Sequence, residues 1–248
     1  MKNMVSIIIP YYKKKKFIKE TLDSVYNQTY KNYEVILIYN DKNKDDFNFV
    51  KSHLKKFPRY TIIKNSRLGV GISRNLGIKI SKGKFLAFLD SDDLWRKDKL
   101  KKQINYMINK NILVSHTAYK VINEKKNFLY SRQARNLEYS DLLKSCDVGL
   151  STVIIKKNSK FKIKFPSLKT KEDYVLWLKI SKAGYKFYGL NLPLVSWRKT
   201  KNSLSSSLTQ KLLDGFRVYN IYEGKSIMNS LINLLYLSIN YIKKKFRL

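Results

Sequence analysis

The feature that most limits how this chain can fold is an alternation in its first third. Short apolar runs, "VSIII" (Val5–Ile9), "EVILIY" (Glu34–Tyr39), "YTIIK" (Tyr60–Lys64) and "KFLAFL" (Lys84–Leu89), read as buried strands. Between them lie "FIKETLDSVYNQ", "DFNFVKSHLKKF" and "VGISRNLGIKIS", each with apolar residues at helical spacing. Apolar strands that alternate with amphipathic helices predict an α/β fold with a parallel sheet covered on both faces. Ligands of such sheets gather at the carboxyl ends of the strands. The residues to inspect are therefore Pro10-Tyr11-Tyr12, Asn40-Asp41 and Asp90-Ser91-Asp92-Asp93.

After about residue 112 the alternation loosens. "ILVSHTAYKVI" and "STVIIKK" read as further strands, and "EYSDLLKS" and "EDYVLWLKISKAG" as helices, the second stopped at Gly184. No internal repeat and no Pro/Gly-rich linker divides the chain. The expected organisation is one domain over 1–207 with a helical extension over 208–248.

The chain carries 51 Lys and Arg against 18 Asp and Glu, a net charge of +33. Such a balance favours anionic partners: nucleic acid, an anionic membrane or phosphorylated substrates. Part of it is compositional, since Lys, Asn, Ile and Tyr are abundant throughout. A nucleic-acid-binding protein would concentrate its basic and aromatic residues on one surface, whereas these lysines are dispersed, so no nucleic-acid partner is expected. Cys146 is the only cysteine, so no intrachain disulfide or Cys-based zinc site forms, and the cytosol is the expected compartment. The opening apolar run is too short for a signal-peptide core, and no segment reaches the ~20 apolar residues of a membrane span. The tail "SIMNSLINLLYLSINYIKKKFRL" contains no acid and ends in a basic cluster. It suits an amphipathic helix on an anionic membrane surface or one packed on the domain.

In so basic a chain, three carboxylates within four positions need an explanation. Asp90 and Asp92 alternate with Ser91 at a strand end, where both can face one hard cation. Mg²⁺ or Mn²⁺ takes one or two carboxylates together with substrate phosphate oxygens. Asp93 is expected to cap a helix beginning near Trp95. An aspartyl phosphatase also places Asp-x-Asp after an apolar strand, but on its first strand and with Thr or Val where this chain has Leu94. "RLGVGISRNLG" lacks the third glycine of a dinucleotide fingerprint, since Arg74 stands there. It still offers backbone N–H groups and Arg74 to an anion. In "KEDYVLWL", Glu172 and Asp173 stand at a probable helix start, where the dipole favours negative charge.

Together these segments resemble glycosyltransferase family 2, inverting enzymes of GT-A fold that use nucleotide-sugar donors. The resemblance runs from Val5 to about Ser205 through "VSIIIPYY", "FIKETLDSVYNQTYKNYEVILI", "GVGISRNLGIKISKGKFLAFLDSDDLWRKDKLKKQI", "KEDYVLWLKI" and "PLVSWRKTKNSLSS". It implies a GT-A-type, Rossmann-like mixed sheet, mostly parallel and flanked by helices. It implies that Asp92, with Asp90, holds Mg²⁺ or Mn²⁺ on the donor diphosphate. Asp173 falls where the family has its base and Glu172 beside it, where it would orient the acceptor. Donor contacts are implied at Pro10, Tyr12, Asn40, Asp41, Arg74, Asn75, Asp90 and Ser91. Arg198 is a further expected partner of diphosphate or carboxylates. The family usually ends its second strand in Asp-Asp; Tyr39 and Asn40 stand here, so either Asn40 or Asp41 reads the base of a UDP donor, or the base is read more loosely. The implied acceptor is a glycan or lipid-linked glycan of cell-surface polysaccharide or lipopolysaccharide synthesis, reached from the inner face of the membrane. A catalytically degenerate partner subunit is the alternative within the same fold.

Overall fold

The four apolar runs form the parallel half of one sheet. The computed structural model describes residues 3–65, 69–157, 161–201 and 207–246. Strands β1 (Val5–Tyr11), β2 (Tyr33–Tyr39), β3 (Tyr60–Lys64) and β4 (Phe85–Phe88) alternate with helices α1 (Lys15–Tyr26), α2 (Lys44–Leu54) and α3 (Val70–Ile80). β1 and β2 are buried along their whole length, as two-sided cover requires. All pairings in this half are parallel, in the order β3-β2-β1-β4.

The other half is mixed. Its strands are β5 (Leu94–Trp95), β6 (Val114–Ile122), β7 (Phe128–Arg132), β8 (Ile154–Lys156) and β9 (Tyr188–Arg198). The full order is β3-β2-β1-β4-β8-β6-β9-β5, with β7 on β6. β8 runs antiparallel to β4 and β6, whereas β6 and β9 are parallel. Helices α4 (Lys99–Asn109), α5 (Tyr139–Lys144) and α6 (Glu172–Lys182) fill the gaps, and Gly184, at φ 88°, ends the last of them.

Two apolar cores cover the sheet faces. One gathers β1, β2 and β4 with Ile18, Leu22, Leu100 and Ile104; the other gathers Trp177, Leu178 and Phe187 with Ile8, Leu86 and Phe88. The segment 208–246 joins the second core. It forms α7 (Leu208–Arg217), a π-helical turn (Val218–Tyr222) and α8 (Ile227–Phe246), and Val218, Tyr219 and Leu237 are buried there. The packed alternative for the tail is the one observed: one side of α8 lies on the domain, and the other is open. No described helix is long and apolar enough to cross a membrane.

The helix expected near Trp95 begins later. Leu94 and Trp95 pair with Ser196 and Val195 of β9, and α4 starts at Lys99. Lys99 is fully buried, with its Nζ 3.8 Å from the Trp95 ring centroid and without a hydrogen-bond partner among the described residues. Burial holds its pKa well below the usual lysine value. The unfolded chain takes a proton that the folded chain resists, so this site costs stability increasingly as pH falls below the unfolded pKa. Lys99→Met is expected to raise stability by about 1–3 kcal/mol. In thermal melts, the gain over the parent is expected to be larger at pH 6 than at pH 9; a variant that melts lower at both would contradict this reading.

Candidate active site

Strand ends from both halves of the sheet open into one cleft of about 2250 Å³. Its lining includes Pro10, Tyr12, Lys14, Asn40, Arg74, Asp90, Ser91, Asp92, Glu172 and Asp173. Residues separated by more than 160 positions thus share one space, as the strand-end rule predicts.

The loop after β4 is held by groups beneath it. The Ser151 hydroxyl accepts from the Asp90 N–H at 3.1 Å and donates to Asp93 Oδ2 at 2.6 Å. Asp93 Oδ1 accepts from the Arg198 N–H at 2.8 Å. Asp93 therefore caps no helix. It is completely buried, and burial and the neighbouring charges of Asp92 and Asp90 push its carboxyl well above the usual range. Its task is to tie the loop to β9.

Arg198 closes the same tie. Its Nε donates to the Asp92 carbonyl at 2.8 Å, one terminal nitrogen to the Glu124 carbonyl at 3.2 Å and the other to Glu20 at 2.7 Å. Of the two expected partners, it has carboxylate and carbonyls rather than a free face for diphosphate, and its side chain is 1% exposed. Asn75, expected at the donor, also serves the scaffold. Its amide donates to the Phe165 carbonyl and accepts from the Phe165 N–H, both at 2.8 Å. One residue further along α3 than Arg74, it is turned by about 100° and meets the segment at residue 165 instead of the cleft.

Arg74 organises the acids. It is buried, with one nitrogen 2.7 Å from Asp90 Oδ1 and another in a very short ion pair with Glu172. Burial opposes its charge, but Asp90, Glu172 and Asp173 more than offset this and raise its pKa. Close packing makes the arrangement possible: a Cβ on Gly71 would collide with the Pro166 carbonyl oxygen. α3 thereby lies directly on the chain leading to α6.

Asp173, half-buried in the first turn of α6, accepts from the Tyr174 N–H at 2.8 Å through Oδ1. Burial, and then the Glu172 charge, raise its pKa to about 7, against the lowering effect of Arg74. The loop before α6 is pinned by α7: Asp214 accepts from both the N–H and the hydroxyl of Thr170 at 2.9 Å.

At the other end of the cleft, β1 and β2 finish in a stacked pair, Tyr11 and Tyr39, with ring centroids 5.0 Å apart. Both are buried, so Tyr39 points into the core. Asn40 lines the cleft, whereas the Asp41 carboxylate turns onto its own loop, accepting from the Lys42 N–H at 2.7 Å. Of the two candidates for reading the base, the structure brings only Asn40 to the cleft.

Lys14 was not signalled by the sequence. It sits in a run of four lysines, Lys13–Lys16, and differs from the others only in being partly buried at the start of α1. Its Nζ lies 2.7 Å from Asp92 Oδ2 and 2.9 Å from the Thr200 hydroxyl. Burial raises the Asp92 pKa, Lys14 lowers it and Asp90 raises it again, with a net upward shift. Among the described residues no three acidic, His or Cys side chains converge as a complete metal cage. Two carboxylates at a cleft wall still suit a hard divalent ion that takes its remaining ligands from substrate phosphate and water.

A mixed sheet with helices on both faces, acids at the carboxyl ends of its strands and an acidic pair opening α6 define a GT-A glycosyltransferase fold. The chain belongs to glycosyl transferase family 2, whose model matches residues 6–165. It is 34% identical over 246 residues to the Escherichia coli UDP-Glc:alpha-D-GlcNAc-diphosphoundecaprenol beta-1,3-glucosyltransferase WfaP, covering 97% of this chain and 95% of that one. It is 29% identical over 248 residues to Bacillus subtilis TuaG, provisionally named a teichuronic acid biosynthesis glycosyltransferase, with 98% of each chain covered. In fold it is similar to residues 1–349 of S. aureus TarS in complex with UDP-GlcNAc. There the TM-score is 0.74 at 20% identity, with 93% of this chain and 70% of that chain covered.

Proposed function

We propose that this chain is an inverting glycosyltransferase that moves a sugar from a UDP-sugar to a hydroxyl of a lipid-linked glycan during cell-surface polysaccharide synthesis. The observation that carries the reading is Asp173, a carboxylate near neutral pKa, in one cleft with Asp90 and Asp92. A sugar hydroxyl needs a base within hydrogen-bond reach, and a base poised near the working pH serves best. The Tyr174 N–H holds Oδ1, so the other oxygen takes the hydroxyl proton as the acceptor attacks the anomeric carbon and the nucleoside diphosphate leaves. Glu172, fixed on Arg74, sets the start of α6 that carries this base. Asn40 offers its amide to the nucleobase, and Pro10, Tyr12 and Ser91 border the donor end.

Asp90 and Asp92 would hold Mg²⁺ or Mn²⁺, which supplies neutralisation of the charge that builds on the leaving diphosphate. Lys14, paired with Asp92 at the same wall, would add positive charge on the diphosphate side of the site. The acceptor class draws support from WfaP, whose name specifies a diphosphoundecaprenol acceptor. The test is transfer from a panel of UDP-sugars to GlcNAc-diphosphate on a polyprenyl chain, with Mn²⁺ and with EDTA. A product one sugar longer, absent in EDTA, is expected; the absence of product with every donor would count against the reading.

The fold also supports a peripheral place on an anionic membrane face. α8 leaves Ile227, Met228, Leu231, Leu235 and Tyr236 exposed, Leu235 by 61%, and the sequence after Glu223 contains no acid. Apolar residues with flanking lysines suit an interfacial helix. The protein is expected to sediment with phosphatidylglycerol vesicles but not with phosphatidylcholine alone. Leu231→Asp/Leu235→Asp is expected to remain in the supernatant; equal sedimentation of this double variant would contradict the assignment.

A further inference from the structure

Little holds the Asp173 carboxylate except its own backbone. Among the described residues, the one hydrogen bond to its side chain comes from the adjoining Tyr174 N–H. Its aim into the cleft is therefore set by the chain from Thr170 to Tyr174. That stretch is strained at Lys171, which takes a left-handed φ of 62° although it carries a side chain. Such a conformation persists only where the surroundings over-determine it. Two groups of the C-terminal extension do so, one on each side of Asp173. Ahead of it, the fully buried Asp214 of α7 accepts through Oδ2 from both the N–H and the hydroxyl of Thr170, each at 2.9 Å. Behind it, the hydroxyls of Tyr174 and Tyr219 lie 2.9 Å apart in the core.

α7 is itself fixed. Gln210 donates to Asp214 Oδ2 at 3.0 Å and Arg217 to Oδ1 at 3.1 Å. A Cβ on Gly215 would stand 2.8 Å from Leu234 Cδ1 of α8 and 3.4 Å from Lys171 Cε, so α7 fits closely between α8 and the stem of Lys171. All of this lies beyond residues 6–165, the span of the family model. We propose that Asp214 is a positioning residue for the transfer reaction: through Thr170 it fixes the strained turn that aims Asp173, so the extension completes the active site. The proposal rests on the reading of Asp173 as the base. Arg74 fixes Glu172 from α3; Asp214 fixes the turn before it. A base displaced by about an ångström loses its near-attack geometry, while the donor's contacts at the other end of the cleft stay in place.

The test compares Asp214→Ala with Asp214→Asn in the full chain, by sugar-transfer kinetics and by hydrogen exchange of the backbone over 170–174. Asn keeps an oxygen for Thr170 and gives up only the ion pair with Arg217, whose side chain is half exposed. Asp214→Ala is expected to lower kcat about tenfold or more with KM for the UDP-sugar within about twofold of the parent, and to exchange faster over 170–174. Asp214→Asn is expected to restore both. Thr170→Val removes the hydroxyl's bond alone and is expected to move kcat the same way by a smaller factor, which keeps the test decisive should Asp214→Ala not fold. A merely structural Asp214 would lower the melting temperature and leave kcat per folded molecule unchanged. That result, or a loss of kcat that Asp214→Asn shares, overturns the proposal. A parent that transfers no sugar rejects the transferase reading and this role with it, whereas an active parent with an unaffected Asp214→Ala rejects this role alone.

Discussion

Asp173→Asn is expected to lower kcat/KM for sugar transfer by about 10³-fold, within the 10²–10⁴ that a positioned general base contributes. The amide keeps the shape and the hydrogen bond from the Tyr174 N–H but takes no proton from the acceptor. Folding is not expected to suffer. Burial and Glu172 penalise the charged carboxylate, so above about pH 7 the neutral amide relieves a cost and the variant should melt no lower than the parent. The parent's kcat/KM should rise with pH through about 7, as Asp173 loses its proton, and level off above. Asn at this position should remove that inflection from the residual activity. A profile flat from pH 6 to 8 in the parent would contradict a base poised near neutral pH at this position.

The second large effect belongs to Arg74→Met. Glu172 is 8% exposed and Arg74 3%, and their ion pair is the buried link between α3 and α6. Removing one partner of a buried pair costs about 3–5 kcal/mol, because the remaining charge is left without compensation. In a chain of this size each kcal/mol moves the melting temperature by about 2–4 °C, so a fall near 10 °C is expected by calorimetry. Arg74→Met/Glu172→Leu should recover most of that loss, since no buried charge is left alone. Activity should stay low in the double variant, because Asp90 also loses its 2.7 Å partner. A single variant as stable as the parent would show that the pair does not couple the two helices.

The parallel half of the fold was legible because its signal is local. Runs such as Val5–Ile9 and Glu34–Tyr39 are apolar but for Ser6 and Glu34, and each strand's own residues announce it. Asp90 and Asp92 were singled out by a strand end in the same way, whereas Asp173 read locally only as a helix start and was singled out by the family resemblance. What was misread depends on partners far away in sequence. Asp93 resembled a cap because Asp is a favoured N-cap and a helix was expected near Trp95, yet its partners are Ser151 and Arg198. Asn75 carries the chemistry of a donor contact, but Phe165 claims it, and of the two partners expected for Arg198 only a distant carboxylate, Glu20, is the one it meets. β9 contains Gly189, Asn191 and Pro193, residue types poorly suited to strands, so only its pairing with β6 reveals its length. Lys14 is one of 51 basic residues, and only the turn into α1 distinguishes it.

The anomeric configuration of the product tests the central claim most directly. A single in-line attack, with Asp173 as base and no covalent sugar intermediate, converts an α-linked UDP-sugar into a β-linked product. Proton NMR of the first-formed glycoside, read from the anomeric coupling, should therefore show the β linkage from the parent and no product signal from Asp173→Asn on the same timescale. An α linkage, or a product signal of equal size from the variant, would contradict the account.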